Sequence, residues 1–150
     1  MIVALWAILG VVAGACIAIQ APINTQLSRM LGGAPTVAAG ISFFAGAVVL
    51  GIISFVIIRG EGRSLDWSAP TPWLYFAGGC LGALYVTTAV LLTPRIGAAA
   101  VMAFAVTGQL LAGILIDRAG FLGVAMREVG VGRIAGAVLL IAGAVMIRVF

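Results

Sequence analysis

The sequence predicts an all-α polytopic membrane protein, a bundle of five transmembrane helices with almost no extramembrane domain. Three observations predict it. The first is composition. Hydrophobic residues make up 64% of the 150-residue chain, glycines number 21, and charged residues are only 8%. A soluble domain carries about 45–50% apolar and about 25% charged residues, because its outside must be covered with polar groups. This chain has too few to do that. The second observation is the presence of five apolar stretches, each close to the ~20 residues that cross a bilayer. The third is that the connections between them are short and the stretches lack the period-two alternation of barrel strands. By length the chain is one transmembrane domain, residues 1–150.

The first span covers residues 2–27. It has no basic segment before its apolar run, so it reads as a retained helix rather than a cleaved secretory signal. The second covers 36–58, opened by Pro35. The third covers 73–92 and begins at an aromatic belt of Trp67, Trp73 and Tyr75, which suits a membrane interface. The fourth covers 97–116 and the fifth 133–149. The connection from Ala119 to Gly132, taken as the longest, contains Phe121, Leu122, Val124, Met126 and Val129, which fits a short amphipathic helical turn lying along the interface.

Charge is confined to span ends. All eight basic residues are Arg, and the four acids are Glu61, Asp66, Asp117 and Glu128. No basic stripe forms, so nucleic acid is excluded as a partner and the lipid bilayer is the expected one. The N-terminal side of the membrane holds Arg59, Arg63, Arg118, Arg127 and Arg133, and the other side holds Arg29, Arg95 and Arg148. Five against three favours a cytoplasmic N-terminus only weakly. A chain with so small a bias and an odd number of spans is suited to insertion in both directions. Two such copies would form the inverted pair that many secondary transporters build by internal repetition.

The chain holds no His, and its two cysteines, Cys16 and Cys80, lie apart in apolar stretches, where they read as small buried hydrophobes. No metal site, no cofactor and no nucleophile–base pair is expected, and hence no enzyme. The informative side chains are polar ones at membrane depth, which must find partners or water. Gln20 and Asn24 are four apart and share one helix face. Pro22, between them, withholds a backbone N–H from the carbonyl of Ala18. Gln109 lies mid-span with Thr107 nearby, Tyr85 and Thr88 lie in the third span, and Ser42 precedes Phe43 and Phe44 in the second. Ser and Thr can bond back to the preceding turn, so the amides weigh more. Gln20, Asn24, Ser42, Tyr85 and Gln109 are the expected substrate-binding set. Asp117, ending the fourth span, is either a coupling site for a proton or cation or an interfacial cap paired with an Arg; the cap is favoured. No carboxylate lies near the centre of any span.

Small residues recur at helix-packing spacing: Gly78 with Gly82, Gly132 with Gly136, Ser42 with Gly46, and Gln109 with Gly113. Gly132, Gly136 and Gly143 share a face of the fifth helix and are assigned to a dimer contact.

Several short motifs then run in one order along the chain: Gln20-Ala21-Pro22-Ile23-Asn24, Pro35, Ser42-Phe43-Phe44-Ala45-Gly46, Gly78-Gly79-Cys80-Leu81-Gly82, Tyr85-Val86, Pro94-Arg95-Ile96-Gly97, Gly108-Gln109, Asp117 and Gly120-Phe121-Leu122-Gly123. This order resembles the YdcZ-type small inner-membrane proteins of the drug/metabolite transporter superfamily. The resemblance implies a five-helix protein of the bacterial inner membrane, half of a ten-helix inverted-repeat architecture. It would act as an antiparallel homodimer, or a heterodimer with a related chain, exporting small molecules of undefined identity. It carries Gln20, Asn24, Gln109 and Asp117 as positions matching the family's motifs. The small multidrug exporters of the same superfamily have a glutamate in the centre of the first helix, and this chain has none.

The expected function is thus transport of a small polar or cationic molecule by alternating access. A passive channel or facilitator is the alternative that the missing central carboxylate suggests. A non-transporting membrane assembly partner is the one suggested by small size.

Overall fold

The structure is a computed structural model that describes residues 2–150. Among them it is all-helical, with five helices long and apolar enough to span a membrane: α1 (Ile2–Met30), α2 (Pro35–Glu61), α3 (Leu74–Ile96), α4 (Ala98–Ala119) and α5 (Val131–Val149). Helices α1 to α4 run past the C-terminal ends of the expected spans, because a polar last turn keeps its helical hydrogen bonds, while α3 and α4 begin just inside the expected starts. Arg29, Arg59, Arg95, Arg118 and Arg148 all fall in last turns, where a cation meets the free carbonyls of a helix C-terminus. The expected four-residue link between the third and fourth spans shrinks to Gly97 alone, at φ 83° and ψ 154°. That backbone region is essentially open to glycine only.

The segment 62–73, not 120–130, is the longest connection. In the latter the short helical turn is a single 3₁₀ turn, Phe121–Gly123, with Leu122 in the left-handed region at φ 53°, followed by extended chain. Gly120 caps α4 at φ 62° with its N–H on the carbonyl of Ile116, and Arg127 returns its N–H to the carbonyl of Asp117 at 2.9 Å. In the 62–73 segment, Asp66 accepts the Ser68 hydroxyl at 2.6 Å and the Ser68 N–H at 2.9 Å, and both bonds hold its carboxyl below the ordinary range. Nearby, the Tyr75 hydroxyl donates to the Trp67 carbonyl at 2.6 Å, tying the aromatic belt to the start of α3.

The chain divides into two compact units, Met1–Pro94 and Arg95–Phe150. In the first, α1 and α2 form a hairpin whose turn is closed by N–H groups of Gly33 and Ala34 on the carbonyl of Ser28. Pro35 begins α2, where its missing N–H leaves nothing unsatisfied. Helix α3 packs through Val86 and Val90 against Ala39, with Tyr85 alongside. In the second, α4 and α5 pack against each other, and Ala100, Val101, Ala137 and Ala144 are buried.

Alanines rather than the spaced glycines close the helix contacts. Of the glycines at packing spacing, only Gly82 has a neighbour within reach: a Cβ there would lie 3.1 Å from the ring of Phe43. At Gly46, Gly78, Gly113, Gly132, Gly136 and Gly143 an added Cβ would meet nothing within 4 Å. The most apolar stretches of α1 and α2 likewise contain no buried residue. Cys16 and Cys80 are exposed, not buried as expected. In a bilayer the two conditions suit a thiol equally, since lipid tails are as apolar as a protein core.

Candidate functional site

The expected polar residues gather in two places, one in each unit. In the first unit, the shared face of Gln20 and Asn24 turns toward α3 and α2. Gln20 Nε2 donates to Ser42 Oγ at 3.2 Å. Ile17, Gln20, Ala21 and Asn24 of α1 and Tyr85, Val86 and Ala89 of α3 surround a cavity of ≈10 Å³, about the space that one water molecule needs. Asn24 is 2% exposed, and its Nδ2 meets no acceptor among the described residues. An unsatisfied buried donor costs roughly 1–3 kcal/mol.

Pro22 does not break α1, which is helical throughout. The helix accommodates it by dispensing with one N–H, so the carbonyl of Ala18 lacks its usual donor. A second proline does the same in α3. Pro94 sits inside α3 and leaves the carbonyl of Val90 without its donor. The nearest side-chain donor is Thr25 of α1, whose one hydroxyl proton goes to the Ala21 carbonyl at 2.9 Å, with the Val90 carbonyl 3.5 Å away as a weak second acceptor. Thr25 is buried. It sits one residue past Asn24, and that it faces the carbonyl bared by Pro94 depends on helix rotation, which the sequence does not mark. Thr93 and Thr107 only bond back, to Ala89 at 2.7 Å and Ala103 at 2.8 Å, as expected for hydroxyls in helices.

In the second unit, a cleft of ≈410 Å³ lies between α4 and α5, lined by Gln109, Leu110, Gly113, Ile114, Asp117, Arg133 and Gly136. Gln109 stands half-way along α4 and is exposed to the cleft. Asp117 pairs across the cleft with Arg133 rather than with its neighbour Arg118: Arg133 Nη1 donates to Asp117 Oδ2 at 3.0 Å. Gly136, one of the three glycines assigned to a dimer contact, lines this cleft, while Gly132 and Gly143 lie on the same helix face with open space beside them. Gln109 and Asp117 therefore share a site. Gln20, Asn24, Ser42 and Tyr85 share another.

The first unit offers two amides and a phenol, and the second an amide and one ion pair; among the described residues no nucleophile is paired with a base. The family described as "Putative inner membrane exporter, YdcZ" matches residues 5–146, nearly the whole chain. Neither the comparison with curated proteins nor that with solved structures gives a match. The chain belongs to this inner-membrane exporter family, as its motif order implies.

Proposed function

We propose that this family member exports a small polar or cationic molecule as an antiparallel dimer, a homodimer or a heterodimer with a related chain. The observation that carries the reading is Asn24. A fully buried amide with a donor left over, beside Gln20 and Tyr85, costs stability. Such an orphan calls for an explanation, and a transported ligand or its hydration water supplies one. The ≈10 Å³ cavity admits only a water-sized group, so binding there requires α1 and α3 to part. Alternating access supplies that motion. Each unit contributes one polar set: Gln20, Asn24, Ser42 and Tyr85 in the first, Gln109 with Asp117 in the second.

The dimer is supported by what the single chain leaves uncovered. The most apolar stretches of α1 and α2 contain no buried residue, and a Cβ added at Gly132, Gly136 or Gly143 would meet nothing within 4 Å. A second copy approaching along Gly132, Gly136 and Gly143 would also wall the α4–α5 cleft. Asp117 is the one acid within that cleft and is the group available for coupling.

A facilitator is favoured by the lack of a carboxylate mid-span. Flux in reconstituted vesicles separates the two. The transporter reading expects uphill accumulation driven by a proton or cation gradient. Flux that only ever follows the substrate's own gradient would support the facilitator and overturn coupled export.

A further inference from the structure

We infer that the cleft between α4 and α5 binds a small zwitterion of the amino-acid class, with the ligand's ammonium on Asp117 and its carboxylate on Arg133. The inference rests on the transport reading and narrows its substrate. The cleft, at ≈410 Å³, falls within the ~300–1,000 Å³ of small-molecule sites. Gln109, Gly113 and Asp117 are spaced by four along α4 and so share one face. Gly113 puts no side chain between the amide and the carboxylate, and Gly136 leaves the facing stretch of α5 bare. The amide lies about 12 Å along the helix from Asp117, available to the far end of a ligand.

The ion pair decides the ligand's charge. It is made by a single hydrogen bond of 3.0 Å, with side chains about one-third exposed, 34% for Arg133 and 30% for Asp117. A guanidinium has five donors and a carboxylate about four acceptor sites, so most of both is unused. A simple cation that took Asp117 would leave Arg133 without a counterion in a half-buried site, and a simple anion would strand Asp117. With about two-thirds of each side chain out of water, stranding one member costs more than exchanging the pair for another. A ligand carrying both charges exchanges one ion pair for two and strands nothing. The existing pair is the same charge pattern turned inward, which holds the cleft together until such a ligand competes.

The test is binding of L-amino acids to the purified full chain in lipid nanodiscs. It continues with the methyl ester and the N-acetyl form of the tightest binder, which keep only the cation or only the anion. The expected result is binding at millimolar concentration or tighter, with the parent amino acid favoured over both derivatives by roughly tenfold or more. Asp117→Asn should shift preference to the N-acetyl form, and Arg133→Gln to the ester. Gly113→Leu, which fills the cleft without touching either charge, should lose binding of the parent to a similar degree.

Absence of binding by every amino acid would overturn the proposal, as would an ester that binds the unmodified protein as tightly as its parent, or variants that keep the original preference. If the charge variants do not fold, the three-probe comparison on the unmodified chain and Gly113→Leu decide it alone. Binding without movement across a vesicle membrane would overturn the transport reading and leave this one. Transport of other molecules with no response to the probes would do the reverse.

Discussion

At the scale of single residues, the amide of Asn24 separates a functional polar site from a structural one. If Asn24 only tied helices together, its truncation would loosen them. Its Nδ2 has no partner to lose, so Asn24→Ala is expected to leave stability in detergent unchanged or raised, by up to ~1 kcal/mol, while transport is lost. Thr25, one residue on, should behave in the opposite way. Thr25→Val removes the hydroxyl that serves Ala21 and the Val90 carbonyl bared by Pro94, and should cost about 0.5–1.5 kcal/mol in an unfolding titration, with Thr25→Ser close to the unmodified protein. The Gln20 and Asn24 pair was legible in the sequence because spacing by four fixes a shared helix face. Their neighbours were not. That Ser42 meets Gln20 and that Tyr85 walls the Asn24 cavity depends on the rotation of α2 and α3, which nearly uniform apolar stretches leave unmarked. Thr25 was passed over for the same reason: a hydroxyl that can satisfy itself gives no sign that it also serves another helix.

At the scale of elements, existence and order of the helices were readable from apolar length alone, and ends were not, since arginine-bearing last turns are helical without being apolar. The single-residue joint at Gly97 is the sharpest consequence. At φ 83° and ψ 154°, Gly97→Ala should destabilise by roughly 1–3 kcal/mol, seen as a lower unfolding midpoint. Glycine spacing was a poor guide to contact, because a helix face that is bare can adjoin a neighbour, a cleft or lipid. Gly78 and Gly82 of one motif should therefore respond differently. Gly82→Leu displaces the Phe43 ring and should perturb the α2–α3 packing, whereas Gly78→Leu enters open space and should be tolerated. Comparison of their thermal unfolding in the same detergent checks this. Asp117 shows the limit of local reading: its neighbour Arg118 is adjacent in sequence, yet the pair forms with Arg133 on α5, because i and i+1 side chains on a helix do not face each other.

At the scale of the whole molecule, scarce charge has two consequences. It places the chain in the membrane, and the five-to-three division of its arginines between the two ends of the spans supports the proposed insertion in both directions. Cysteines introduced in the 62–73 loop should be labelled from both faces of intact cells in comparable amounts. Labelling from one face only, with any partner also parallel, would remove the antiparallel dimer. Under the proposed function the amides of Gln20, Asn24 and Gln109, rather than a mid-span acid, recognise what passes.

The central claim is that these amides serve transport, and solid-supported membrane electrophysiology on the reconstituted full chain tests it most directly. A panel of small polar, cationic and zwitterionic metabolites should elicit a current with at least one member, lost in Asn24→Ala and Gln109→Ala variants that still fold. No current with any member, or currents unchanged in both variants, would contradict it.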